Sequence, residues 1–241
     1  MKILVCLPAA RGAAYPKEAE DRRVRVVESY SSATTQVVCD FPAQASGFVP
    51  FGGNAGIIEQ ARNHILVAER FIQAEQEGYD ACIPFGMIDF GVELARTRCK
   101  IPVIGQAQAA YALASTMAGK IGAIWYQSRS FSFGWRQVKS YGYDHLLVGF
   151  GAAEMPNNEM PQRPDELYER FVAEGKRLVK AGAELIVCHG MSMCPVEWPA
   201  AKYAEGIGVP VLEGMGSAVA MAEAWVRLGT PYSPIRYPSG H

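Results

Sequence analysis

Two stretches of the chain, nearly half its length apart, align without a gap. Gly78-Tyr79-Asp80-Ala81-Cys82-Ile83-Pro84-Phe85-Gly86-Met87 matches Gly182-Ala183-Glu184-Leu185-Ile186-Val187-Cys188-His189-Gly190-Met191, so Gly86 and Gly190 stand 104 positions apart. Each copy leads into a second match at an offset of 108. Ile101-Pro102-Val103-Ile104 and the small-residue stretch from Gln106 to Ala114 return as Val209-Pro210-Val211-Leu212 and the stretch from Gly214 to Ala222. A fainter third pair sets Lys2-Ile3-Leu4-Val5-Cys6-Leu7-Pro8 against Lys120-Ile121-Gly122-Ala123-Ile124-Trp125-Tyr126. A period of half the chain is far too long for a solenoid and suits a duplicated α/β half-domain. The chain is thereby constrained to two similar lobes facing one another across a cleft.

Composition excludes several alternatives. With 241 residues, 49% hydrophobic and 20% charged, the chain can bury one large core or two modest ones. A formal net charge of −1 gives no basic footprint for nucleic acid or an anionic membrane. Apolar runs are broken every few residues by Gly, Pro or a charge, short of the roughly 20 residues a membrane-spanning helix needs. Met1 to Val5 opens directly into a strand pattern without the features of a signal peptide, so a cytoplasmic protein is expected. Cys6, Cys39, Cys82, Cys99, Cys188 and Cys194 form no Cys-x-x-Cys pair and no alternation with His. That argues against a zinc site or a disulfide scaffold and for small buried groups.

Periodicity predicts strands at Lys2–Leu7, Gln36–Phe41, Ala81–Phe85, Pro102–Gly105, Ile121–Trp125, around His145–Val148, Leu185–Val187 and Pro210–Leu212. Between them fall helices. A long one precedes Gly78, with Ile57, Ile58, Ala61, Ile65, Ala68 and Ile72 as its apolar face and Glu59, Arg62, Glu69, Arg70 and Glu75 opposite. Others are expected at Phe90–Thr97, Ala107–Met117, Phe131–Ser140, Pro164–Ala181, Trp198–Glu205 and Ser217–Leu228. Apolar strands alternating with amphipathic helices imply parallel sheets covered on both faces, and here two pseudo-symmetric flavodoxin-like α/β lobes. The first lobe is expected from 1–105 plus 214–241, the second from 106–213. Ligands of such sheets sit beyond the C-terminal ends of the strands, which points to Phe85-Gly86-Met87, Trp125-Tyr126-Gln127 and His189-Gly190-Met191.

Two stretches fall outside this frame, Gln44–Gly56, aromatic yet loop-like, and Ala152–Pro164, rich in Pro and Asn. Each reads as a binding loop or a surface excursion. Gly229–His241, with three prolines, reads as a tail or as an arm onto a neighbouring subunit in a homo-oligomer.

The runs Gly78-Tyr79-Asp80-Ala81, Asp89-Phe90-Gly91, Ala95-Arg96, Ile101-Pro102-Val103-Ile104-Gly105, Gln127-Ser128-Arg129-Ser130 and Gly182-Ala183-Glu184-Leu185-Ile186-Val187 resemble the aspartate/glutamate/hydantoin racemase superfamily, which also includes arylmalonate decarboxylases and maleate isomerases. The resemblance runs from about Gly78 to Leu228. It implies a cofactor-free enzyme with two thiols flanking an acidic carbon, one removing a proton and the other delivering one to the opposite face. This chain departs from that pattern. A gap-free carry-over places Gly86 and Gly190 at the two thiol positions, whereas a two-residue shift places Cys188 at the second. Both registers leave the first position without a thiol, and the shifted one resembles the one-cysteine arrangement of arylmalonate decarboxylases.

Three residues are candidates for proton transfer. His189 has an imidazole suited to it or is a core His bonded to a carbonyl; Cys188 depends on register; Asp89, matching an aspartate of hydantoin racemases, is a base or a helix cap. Gly86 and Gly190 let the backbone approach a ligand, exposing the amides of Met87, Met191 and Ser192 as an oxyanion or carboxylate site. Tyr126 and Arg129 are candidates to hold ligand oxygens, with Arg129 equally readable as a surface charge and Ser130 as a cap. The expected function is racemase- or isomerase-like, at the carbon next to a carbonyl or carboxylate of a small molecule, through an enolate-like intermediate. A decarboxylase, another lyase, a hydrolase or a non-catalytic binder on the same scaffold are the alternatives, and neither cofactor nor metal is implied.

Overall fold

The structure, a computed structural model, describes residues 1–13, 15–44 and 57–238. It divides into two compact units, Met1–Gln106 with Ala218–His241, and Ala107–Ser217. The first holds a parallel sheet of β1 (Lys2–Cys6), β2 (Gln36–Asp40) and β3 (Ala81–Pro84) in the order β2-β1-β3. The second holds a parallel sheet of β4 (Ile121–Trp125), β5 (Leu147–Ala152), β6 (Leu185–Cys188) and β7 (Val211–Glu213) in the order β5-β4-β6-β7. The helices are α1 (Lys17–Glu28), α2 (Ile57–Gln76), α3 (Val92–Arg96), α4 (Gln106–Met117), α5 (Phe131–Tyr141), α6 (Pro164–Lys180), α7 (Ala200–Ile207) and α8 (Gly214–Leu228).

The sequence repeat returns as a repeat of individual hydrogen bonds. β3 and β6 occupy equivalent positions 104 residues apart. The Cys82 N–H donates to the Pro102 carbonyl, and its counterpart Ile186 N–H donates to Pro210, at 2.8 and 3.0 Å. Phe85 N–H donates to Cys6 and His189 N–H to Ile124, again in matching places, at 2.7 and 2.8 Å. An acid before each strand clasps the start of the neighbouring one: the Asp80 carboxylate accepts the Lys2 N–H, and the Glu184 carboxylate accepts the N–H groups of Gly119 and Lys120. Gly78 and Gly182, which turn the chain into these strands, both have positive φ (82° and 104°), where a side chain would strain the backbone.

Several elements differ from expectation. The stretch Pro102–Gly105 contributes one bridge, Cys82 to Val103, where the second unit has the strand β7. The strand near His145 begins only at Leu147, after a 3₁₀ turn over Asp144–Leu146. The helix expected at Phe90–Thr97 is the shorter α3. The helix expected from Trp198 is α7, which begins at Ala200 behind a π-helical turn, Ser192–Glu197. Helix α1 was not foreseen, because its charged run hides a narrow stripe that buries Arg23 and Val27.

Of the apolar face expected in α2, Ile58 and Ile65 are turned outward, 65 % and 52 % exposed, while Ala68 is buried and Ile72 packs on the core. Val67, Phe71 and Ala74 pack inward with them, beside Leu4 and Cys82. Arg70 joins them because its guanidinium is held by the Asp40 and Glu77 carboxylates, both at 2.7 Å, so burial leaves no unpaired charge.

Of the two irregular stretches, Ala152–Pro164 leaves β5 and passes through a 3₁₀ turn at Met160–Gln162; residues 45–56 of the other lie outside the described residues. The terminal segment packs on its own chain: Tyr237 and the Val103 carbonyl both accept from the Arg96 guanidinium, and the Tyr232 hydroxyl accepts the Val103 N–H. Among the described residues no helix is long and apolar enough to cross a membrane.

Candidate active site

β4 and β6 are adjacent strands whose C-terminal ends bring Trp125 and His189 together. The bond from the His189 N–H to Ile124 carries the ladder one residue beyond β6 and fixes the direction of the side chain. The imidazole lies flat on the Trp125 indole, with ring centroids 3.7 Å apart, and the Tyr111 ring of α4 stands 6.0 Å away on a 42° tilt. His189 is 1 % exposed, and among the described residues neither of its ring nitrogens has a hydrogen-bond partner. Burial pulls its pKa down to about 3, so the ring is neutral at neutral pH.

Cys188, the last residue of β6, alternates to the other side of the strand. It packs with Ile124, Met193, Cys194 and Tyr203, and its thiol donates to the Gly190 carbonyl at 3.6 Å. Burial, reinforced by the neighbouring Cys188, pushes the Cys194 thiol well up. By backbone position the counterpart of Cys188 is Pro84, while Gly190, two residues beyond its strand, is the counterpart of Gly86.

A Cβ on Gly190 would meet only Met193 Cε at 2.9 Å and Tyr126 Cδ1 at 3.9 Å, so the position opens onto these two side chains. Met191 and Ser192 are buried at the start of the π-helical turn, where the N–H groups of Met193 and Cys194 donate to the Gly190 carbonyl. Tyr126 is half-buried beside Gly190. Arg129 lies exposed on a 3₁₀ turn, Ser128–Ser130, without an ion pair among the described residues. Ser130 precedes α5 but makes no side-chain capping bond.

In the first unit the loop after β3 carries Gly86, Met87 and Asp89. Gly86 has φ +107°, with open space where a Cβ would stand. Asp89 takes the left-handed conformation at φ 57°, and its buried carboxylate presses on the Cα of Gly105. Gly91 is the N-cap residue of α3, and the Gly91 N–H donates to His64 Nδ1 at 3.1 Å. Desolvation lowers the pKa of His64, in keeping with the neutral ring this bond requires.

Thus Tyr126, Cys188, His189, Gly190, Met191 and Ser192 gather at the ends of β4 and β6, Arg129 stays at the surface, and Gly86, Met87 and Asp89 share one loop of the first unit. Sequence reasoning placed Trp125 at a ligand-facing strand end without giving it a role and passed over Tyr111, whose one signal was to be an aromatic in the small-residue helix α4. Among the described residues no cluster of His, Cys, Asp and Glu could hold a metal ion.

The Asp/Glu/Hydantoin racemase family model matches residues 51–222. A hydantoin racemase of Rhizobium meliloti is 33% identical over 168 residues, covering 68% of this chain and 67% of that protein. Among solved structures, allantoin racemase from Pseudomonas fluorescens aligns with a TM-score of 0.83 at 23% identity, over 100% of this chain and 97% of that one. Unliganded arylmalonate decarboxylase aligns with a TM-score of 0.60 at 13% identity, over 96% and 94% of the two chains. These similarities, together with the duplicated parallel-sheet units, make the chain a member of the Asp/Glu/hydantoin racemase family and an enzyme of the racemase and isomerase type.

Proposed function

We propose that this enzyme labilises the proton on a carbon next to a carbonyl of a small molecule, through an enolate-like intermediate, with His189 carrying the proton. The observation behind this reading is a buried imidazole at a strand end whose two nitrogens serve no protein group. In the step, the C–H bond breaks, its proton goes to an imidazole nitrogen, and its electron pair moves onto the carbonyl oxygen; returning the proton reverses both. An imidazole with a pKa of about 3 is a weak base in the free protein. The enolate that forms beside it is anionic, however, and an adjacent opposite charge favours the imidazolium, so the two charges support each other where water is excluded.

Whether Gly190 or Cys188 stands at the second thiol position of the family, Gly86 leaves the first without a thiol, which argues against the two-thiol route. Asp89 is a second acid–base candidate, and Gly86, Met87, Tyr126, Arg129, Gly190, Met191 and Ser192 are candidates for substrate contact. The relatives called hydantoin and allantoin racemase make a ring ureide, with a proton flanked by a carbonyl, the first substrate to try.

The test is to incubate each enantiomer of 5-methylhydantoin and of allantoin in deuterated water, following deuteration by NMR and optical rotation. His189→Asn is expected to slow exchange by about 10²-fold or more, the usual scale for a general acid or base, and Cys188→Ser to leave it within about threefold. Full exchange in His189→Asn with loss in Cys188→Ser would replace this reading by a one-thiol mechanism.

A further inference from the structure

Tyr111 is fully buried in α4, among Ala107, Ala109, Ala110 and Ala114. Among the described residues its hydroxyl has no hydrogen-bond partner. Most buried polar side-chain atoms in folded proteins are paired, and each exception calls for a reason. A phenylalanine would fill nearly the same volume without burying an unpaired hydroxyl, so packing alone does not account for a tyrosine.

The environment supplies a reason. Tyr111 stands against His189, whose nitrogens are also unpartnered, yet the two residues do not bond each other. Trp125, stacked on the imidazole, likewise has an unpartnered Nε1 among the described residues, packed against the Gly134 backbone. The phenol and the imidazole, adjacent and each without a partner among the described residues, are arranged to serve a third group. Of these groups only the imidazole has a ring nitrogen lone pair that can accept the proton as the enolate forms beside it. Burial, with a smaller contribution from Cys188, raises the phenol pKa, so Tyr111 keeps its proton and acts as a donor.

We propose that Tyr111 is a substrate-contacting residue whose hydroxyl donates a hydrogen bond to the carbonyl oxygen next to the carbon that His189 deprotonates. The bond strengthens as that oxygen takes up the electron pair of the broken C–H bond and becomes the enolate oxygen. No proton leaves the phenol. The assignment rests on the isomerase reading for its chemistry, but its structural premise, a hydroxyl that serves no protein group, is independent of any turnover.

The experiment uses Tyr111→Phe in the full chain. Its melting temperature should equal or exceed that of the parent, since no protein hydrogen bond is lost, and its exchange of the 5-methylhydantoin proton should fall by about 10²-fold, the scale for removing one oxyanion donor. A clearly lower melting temperature would overturn the proposal whatever the enzyme turns over, because the hydroxyl would then have a protein partner. Exchange within about threefold of the parent would overturn it as well. If the parent itself exchanges neither 5-methylhydantoin nor allantoin, the isomerase reading fails for those compounds, and thermal shift with saturating hydantoin decides about Tyr111. A stabilisation present in the parent and absent in Tyr111→Phe upholds the contact, while an equal shift in both proteins, or none in the parent, rejects it.

Discussion

The imidazole of His189 and the indole of Trp125 lie face to face, their planes 15° from parallel. An aromatic face attracts a cation by about 0.5–2 kcal/mol, which by itself would favour the protonated ring. Desolvation outweighs it here, because the ring is buried without a counter-ion, and the pKa falls to about 3. This has a consequence for acid stability. A His in the unfolded chain titrates near 6.5, so between about pH 6.5 and 3 the unfolded state binds a proton that the folded state does not. Stability contributed by the neutral ring is complete above about 6.5 and lost as the pH falls toward 3. His64 adds to the same trend, its pKa also being lowered by burial. His189→Gln should therefore lose less stability than the parent between pH 7 and 4, by on the order of 3 kcal/mol, as read by urea unfolding at the two pH values. Equal losses in the two proteins would contradict a buried neutral imidazole.

Thiol accessibility provides a second check on the departure from two-thiol chemistry. All six cysteines are free and buried, and burial pushes up the pKa of Cys6, Cys39, Cys82, Cys99 and Cys194. A nucleophilic or acid–base cysteine is partly exposed with a lowered pKa. Native protein mixed with a chromogenic disulfide reagent should release almost no thiolate over minutes at pH 8, and all six equivalents should appear on unfolding. One equivalent released in a rapid phase from the native protein would point to Cys188 or Cys194 as functional.

Gly86 and Gly190 look alike in sequence but should respond differently to a side chain. Gly86 has φ +107°, so any L-residue there is strained even though space is open. Gly190 has no such restriction, and a Cβ there meets chiefly the mobile end of Met193. Gly86→Cys should cost about 1–3 kcal/mol and lower the melting temperature by several degrees. Gly190→Cys should cost less than about 1 kcal/mol. Differential scanning calorimetry of the two variants decides it, and equal destabilisation would mean that the two loops share one backbone conformation.

The parts of this architecture that were legible in the sequence are those fixed by backbone pairing. The offset of 104 residues joins β3 to β6 because both strands must hydrogen-bond to a central strand on one side and to the Pro102 or Pro210 segment on the other. What escaped depended on side chains meeting across distance in the chain. Helix α2 carries two apolar stripes, and only the partners of Arg70 show that the one through Val67 and Phe71 is buried. The π-helical turn at Ser192–Glu197 holds Pro195 and has no periodicity to read. Position alone pointed to His189, but its neutrality and its neighbour Tyr111 come from packing between β4, β6 and α4, which no local pattern encodes.

Gly91 tests whether the loop carrying Asp89 depends on close backbone contact with α2. Its φ is +75°, and a Cβ would lie 2.7 Å from the Ala68 nitrogen and 3.0 Å from the His64 carbonyl oxygen, both backbone atoms that cannot swing aside. Gly142 has a similar φ of +82° but open space around it. The conformational part of a Gly→Ala change, about 1 kcal/mol, is therefore common to both sites, and the clash belongs to Gly91 alone. Overpacking of this kind typically adds about 1–3 kcal/mol. Gly142→Ala should lower stability by about 1 kcal/mol and leave exchange activity near that of the parent. Gly91→Ala should lose about 2–4 kcal/mol, and by pushing α3 from α2 it should break the Gly91 bond to His64 Nδ1. Opening the α2–α3 contact would also expose His64 to water, and since burial is what lowers its pKa, that pKa should move back up toward the ordinary value, visible as a shifted imidazole titration by NMR. An unmoved His64 titration in folded Gly91→Ala would show that the helix pair yields without surrendering this contact.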